Sequence, residues 1–225
     1  MAASSTTVDL SRLPAPTLIE QPGFEAVLAA MVADLKARLP ILTALIDSDP
    51  VMKLLQVTAY REVLLRRAFQ DAGLQLFVAY ATGANLDHLG ALVGVARLTL
   101  TPADPVTGAP AIMESDDALR QRIVLAPESF TVAGPELAYV ARAKAADAGV
   151  LDASATSPAP GEVLVSVLAR TGDGSASAVL VDAVRAAVTD RAVRPLGDLV
   201  TVASADIVPF AVSASLITFA GPDPS

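Results

Sequence analysis

Apolar residues recur first at helical spacing and then, past residue 149, at strand spacing, so the chain changes architecture along its length. Over residues 50–80, Leu54, Leu55, Leu64, Leu65, Phe69 and Leu76 occupy more than one side of a helix. The charges available to solvate that helix are Lys53, Arg61, Glu62, Arg66, Arg67 and Asp71, too few to serve every turn. Asp49 is placed to accept from a free amide of the first turn, and Pro50 stands where a missing N–H loses nothing. A helix of that length reaches about 45 Å, longer than the core of a small domain is wide. The pattern predicts a strut whose remaining apolar residues are covered by another helix or another chain.

The flanking segments follow from the same periodicities. Residues 1–22 are polar and then rich in proline (Pro14, Pro16, Pro22), which predicts an extended arm lying on something else. Phe24, Val27, Leu28, Met31, Leu35 and Leu39 form one stripe of a helix over 24–39, and 41–46 is expected to form a further short helix. Asn85 is expected to cap a short helix ending at Val93, with Gly83 permitting the reversal before it and Gly94 a left-handed stop. In that helix Leu86, Leu89 and Leu92 would pack on the strut. Residues 99–113 have three prolines and no period, a connector. Ser115 begins a helix with Asp116 and Asp117 in its first turn, where acidic side chains suit the helix dipole, and Pro127 ends it. Residues 134–149 predict a helix with Pro135 at its first position, 150–156 and 162–170 are strands joined by a turn, and a helix from Ser177 presents Val181, Val184 and Val188. Strands at 199–203 and 208–219 complete the pattern.

The fold class expected is therefore α+β: an N-terminal helical region with one long helix, then an α/β sandwich domain of order α-β-β-α-β-β. The expected division is an arm over 1–22, a helical domain over 23–98, a connector and short helix over 99–127, and the α/β sandwich over 128–221.

Composition narrows the function. Hydrophobic residues reach 53% against 18% charged, yet no uninterrupted apolar run approaches membrane-spanning length, so the excess is either alanine or surface that partners cover. A net charge of −8 with no gathered Lys/Arg footprint excludes a nucleic-acid binder. With no cysteine there is no disulfide, thiol nucleophile or thiolate metal site. The first residues lack the basic and apolar segments of a secretory signal.

Chemistry-bearing candidates are few. The lone histidine, His88, would need an orienting partner to act as a base, and adjacent Asp87 points about 100° away on a helix. Glu114, Asp116 and Asp117 with Asp104 suggest a hard-cation site, but helix-start capping accounts for two of them. Gly172-Asp173-Gly174 lacks the Lys-Ser/Thr of a phosphate loop and reads as a turn, and no serine sits in G-x-S-x-G. No catalysis, metal or cofactor is expected.

Blocks spread over nearly the whole chain carry a resemblance. They are Leu55-x-x-x-Ala59-Tyr60-Arg61-Glu62-x-Leu64-Leu65-Arg66, the run A-T-G-A-N-L-D-H-L-G from Ala81, Arg97 with T-P-A-D-P, and E-S-D-D-A-L-R-x-R-I from Glu114. Then come A-P-E-S-F-x-V-A-G-P from Ala126, S-P-A-P-G-E-V from Ser157, R-T-G-D-G-S from Arg170, and Val193-Arg194-Pro195-Leu196-x-Asp198. In this order they resemble the baseplate J family of contractile-tailed phages, which is similar to the T4 wedge protein six and the Mu tail protein forty-seven. The resemblance implies a non-catalytic structural subunit that joins baseplate wedges around the central hub, in the virion tail baseplate and in the host cytoplasm during assembly. It implies as partners a second copy (homo-oligomer or wedge dimer), a small lysozyme-like-fold wedge protein of the twenty-five type, and a P2-like tail protein I. Family members continue past the equivalent of residue 220, so a shortened form is expected. Ala68 and Gln70 stand where arginine and asparagine are usual, and Pro209-Phe210 interrupts an expected strand. Structural or interface residues expected on this basis are Arg61, Arg66, Leu86, Asp87, Arg97, Arg120, Arg122 and Arg194. Arg97, Arg120 and Arg194 are the candidates for ion pairs, given the acidic balance and arginine's fork of donors. The competing readings are a scaffold or peptide-binding module outside a tail, and a hydrolase using His88.

Overall fold

A computed structural model describes residues 9–42, 45–131, 134–191 and 193–215. The fold is α+β, with a helical N-terminal region and a mixed α/β region. The chain divides into two compact units, residues 1–127 and 128–225.

In the first unit, α1 (Phe24–Arg38) and α2 (Pro50–Leu74) pack against each other through Val27, Ala59 and Val63, with Phe24, Leu28 and Met31 at the edge. The start of α2 is the expected one: Asp49 accepts from the Val51 N–H at 2.8 Å and Pro50 follows. The end is not. The long helix stops at Leu74 instead of running to residue 80, because the Gln75 side chain bends back, accepting from the Thr82 N–H at 2.9 Å and donating to the Tyr80 carbonyl at 3.4 Å. The helix is 25 residues long, about 37 Å. The short helix expected over 41–46 does not form at the described positions, Thr43 and Ala44 lying outside them.

The proline-rich arm lies on its own unit. Gln70 donates to the Pro16 carbonyl at 2.7 Å and accepts from the Leu18 N–H at 2.9 Å, and the Tyr80 hydroxyl donates to the Leu13 carbonyl at 2.5 Å. Backbone that proline keeps out of helix and sheet thus finds its partners in side chains of α2 and of the turn that follows it.

α3 (Gly83–Ala91) begins before Asn85, at Gly83, whose φ of +53° makes the reversal expected of it. The connector is not structureless: β1 (Thr99–Thr101) and β2 (Ile112–Met113) pair as a small antiparallel ribbon. α4 (Asp116–Leu125) starts as expected, the Ser115 hydroxyl accepting from the Ala118 N–H. A second core gathers Ala81, Leu86, Leu119 and Ile123, so Leu86 seals α3 against α4 rather than the strut.

In the second unit α5 (Glu136–Ala146) is followed by β3 (Val150–Thr156), β4 (Glu162–Ala169), α6 (Ala178–Thr189) and β5 (Leu199–Ser204). Pro135 is the cap of α5 rather than its first residue. The sheet order is β3-β4-β5, antiparallel then parallel, the parallel pair bridged by α6. Val165, Val167, Val200 and Val202 alternate inward onto Tyr139 and Ala143 of α5 and Val184 and Val188 of α6. A register shift between Val150 and Asp152 lets Val150 share the inward face with Ala155. The last expected strand does not form at 208–215, and 216–219 lies outside the described residues. Among the described residues the order α-β-β-α-β-β is therefore corrected to α-β-β-α-β.

At Gly90 an added Cβ would lie 2.7 Å from the Val95 carbonyl oxygen and 3.2 Å from Ile123 Cδ1. Gly90→Ala should therefore destabilise the helical unit by about 1–3 kcal/mol, read as a lower urea midpoint.

Candidate functional site

The polar features of the helical unit converge on the α3–α4 pair. Asp116 is the first residue of α4, and its carboxylate accepts from the Gly83 N–H at 3.1 Å, so one acid serves the first turns of two helices. Arg97 completes the junction. Its guanidinium donates to Asp116 at 2.7 Å, to Asp87 at 2.8 Å and to the Glu114 carbonyl at 2.8 Å, with only 13% of the side chain exposed. That fork spans α3, the ribbon and α4 in a way no lysine could reproduce.

Two further arginines extend the junction. Arg120 donates to the carbonyls of Val78 and Ala81, both at 2.8 Å, and to Asp117 at 2.6 Å, which ties α4 to the turn after α2. Arg122 donates to Glu114 at 2.7 Å and to the Ala96 carbonyl at 3.1 Å. The Glu114 side chain is 1% exposed, the deepest acid among the described residues. One of its oxygens also accepts from the Leu98 N–H, while the other has no hydrogen-bond partner. A buried ion pair of this kind favours one arrangement more than it adds stability, because both ions give up water.

The other singled-out residues lie apart from this junction. Arg66 pairs with Glu62 at 2.8 Å and donates to the Glu20 carbonyl, fastening the arm to α2. Arg61 is exposed on α2. Arg194 donates to the Asp198 carbonyl at 3.0 Å in the second unit, a backbone contact rather than the ion pair considered. His88 is exposed on α3, and the neighbouring Asp87 carboxylate is engaged by Arg97. Asp104 caps its own turn through the Val106 N–H and the Thr107 hydroxyl. Among the described residues no group of three or more His, Asp or Glu is placed to hold a metal ion.

Sequence reasoning missed Arg142, which donates to the carbonyls of Ser129, Thr131 and Val193. A lone arginine among the alanines of α5 was the available signal. It also missed the Tyr139 hydroxyl, which donates to Asp198 at 2.6 Å; burial first, and then this bond, hold the phenol well above its usual range.

A different surface lies on the outer side of α2. Leu54 is 67% exposed, Leu65 70% and Phe69 62%, all large apolar residues on the helix that the first unit is built on, and Leu76, just past the end of that helix, is 74% exposed. A shallow groove beside them is lined by Phe24, Lys53, Gln56, Val57, Tyr60, Arg61 and Leu64. None of the described helices is long and apolar enough to cross a membrane, so this surface is not part of a membrane-spanning helix.

The family model for the Baseplate J-like N-terminal domain matches residues 47–104, and that for the Baseplate J-like central domain matches residues 131–204. The chain is 41% identical over 225 residues to Baseplate protein J of Escherichia phage P2, an alignment covering 96% of this chain and 74% of that protein.

Arg97→Ala should lower the unfolding free energy of the helical unit by about 3 kcal/mol, and Arg97→Lys should recover only part of it, both measured by urea titration. Asp116 supplies a pH signature. The Gly83 amide and then Arg97 hold its carboxyl below the usual range, against a smaller opposing effect of burial. A folded value below the unfolded one, about 3.9, means that the stabilisation is present above that pH and is lost as pH falls through the depressed value. Asp116→Asn should therefore flatten the acid limb of stability below about pH 4 and leave the slope near neutrality unchanged.

Proposed function

The chain belongs to the baseplate J-like family, and from that membership we propose that the outer side of α2 is the surface by which it is built into its assembly. It is a structural subunit of a phage tail baseplate and not an enzyme. The observation that carries the proposal is the exposure of Leu54, Leu65 and Phe69 along one helix. Each such side chain is worth about 1.5–3 kcal/mol when fully removed from water, so a neighbouring subunit covering several of them gains more than a scattered surface leucine offers.

The partners this surface would meet are a second copy of the chain, a small wedge protein of the twenty-five type, and a P2-like tail protein I, in wedges joined around the central hub. The eight residues named from the sequence divide under this reading. Leu86, Asp87, Arg97, Arg120 and Arg122 keep the helical unit rigid behind the surface, and Arg61 lies on it. Arg66 fixes the arm, and Arg194 belongs to the second unit. Rigid support is what a docking helix requires, since ordering it at the moment of binding would subtract from affinity. The His88 hydrolase finds no such support, because Asp87, the acid that would orient it, is engaged elsewhere.

The test is light scattering on the chain mixed with the products of the adjacent tail genes. A defined complex is expected, weakened at least roughly tenfold by the pair Leu65→Glu and Phe69→Glu with unchanged circular dichroism. A complex indifferent to both substitutions would move the surface elsewhere.

A further inference from the structure

From Ile207 to Ser215 the chain reads I-V-P-F-A-V-S-A-S, with no charged residue and no glycine. Val208, Phe210 and Val212 are 79%, 87% and 80% exposed, alternating with Pro209 and Ala211. Among the described residues, none of 206–215 belongs to a helix or strand or takes part in a hydrogen bond. A solvated linker is charged or rich in glycine and serine. This run instead has the alternation of a strand, with β-branched and aromatic side chains at every second position.

Its own sheet does not take it up. Leu199 donates to the Gly161 carbonyl and Ala205 to that of Val167, so the odd positions of β5 face β4 and Val202 faces the free edge. There Arg185 of α6 donates to the Val202 carbonyl at 3.5 Å, which guards that edge. Beyond Ala205 the chain turns the other way: Ile207 and Leu168 both lie against Gly174, on the β4 side.

We infer that residues 208–212 are a strand donor, added to an open sheet edge of another tail protein with Val208, Phe210 and Val212 laid on that protein's apolar layer. Pro209 decides which side pairs. In a strand the N–H and C=O of one residue point to one edge and those of the next residue to the other. Pro209 has no N–H, so 209, 211 and 213 face solvent, and the backbones of 208, 210 and 212 make the ladder. The occupant is thereby specified: a strand edge with unpaired N–H and C=O groups beside exposed apolar side chains. Main-chain bonds supply affinity in this mode and alternate side chains supply specificity. A groove for a helix does not suit the run, because residues two apart lie on different sides of a helix. The contact belongs to the second unit and does not depend on the α2 surface.

The experiment is a proline scan in the full chain, titrated by calorimetry against each purified product of the adjacent tail genes. Val212→Pro and Ala211→Pro stiffen the chain alike and both leave an apolar side chain, yet only the first removes a pairing N–H. The expected result is a complex whose Kd rises about tenfold or more in Val212→Pro and in Phe210→Glu, and changes less than about twofold in Ala211→Pro. Circular dichroism should not change, since the run is exposed and unpaired in the free chain. No complex with any product, no effect of Val212→Pro, or equal losses in Val212→Pro and Ala211→Pro each overturn the inference. Self-association of the native chain that Val212→Pro abolishes overturns it too, because the edge would then be that of a second copy. If Leu65→Glu with Phe69→Glu abolishes the complex and Val212→Pro leaves it intact, the docking-helix reading stands and only the strand donor falls.

Discussion

The constraint on which the helical unit depends is that α2 is apolar on more sides than its own unit can cover. One helix and an extended arm are available to it, and they occupy the sides bearing Ala59, Val63, Arg66 and Gln70. A helix pair buries one stripe on each member. Whatever remains apolar is left for other molecules, and the supporting structure around α2 has to hold it still without adding a further helix.

That support comes from arginine forks rather than from more core. The α3–α4 junction has four fully packed residues, Ala81, Leu86, Leu119 and Ile123, and around them Arg97, Arg120 and Arg122 take up carboxylates and free carbonyls of the connecting loops. Loops rich in proline and glycine have few backbone partners of their own. A planar donor that reaches two or three acceptors at once replaces the missing secondary structure. The same device appears in the second unit, where Arg142 collects three carbonyls and Arg170 donates to those of Ala148 and Val150.

Where the signal was local, the sequence was sufficient. Asp49-Pro50, Ser115 with its two aspartates, and the alternation from Val150 and Glu162 each depend on residues within one turn or one strand, and the structure places those starts where they were read. Where the partner was distant, it was not. The end of α2 depends on Gln75 reaching Thr82, the arm depends on Gln70, 54 residues beyond Pro16, and Arg97 finds Asp116 across 19 residues. Arginine was rightly suspected of ion pairing at positions 97 and 120, but which acids it would meet was a property of the folded junction. Helical periodicity also could not distinguish apolar residues buried by α1 from those left outside, since both lie on the same amphipathic wheel.

The central claim, that the outer side of α2 is open in the free chain and covered in the baseplate, can be read directly because the protein has no cysteine. Single cysteines at Leu54, Leu65 and Phe69 would serve as reporters of thiol labelling rate. The account predicts fast labelling in the isolated chain and protection of at least roughly tenfold in assembled baseplates at one or more of the three positions, beyond that of a reporter at an exposed control site. Equal labelling in both states at all three positions would contradict it.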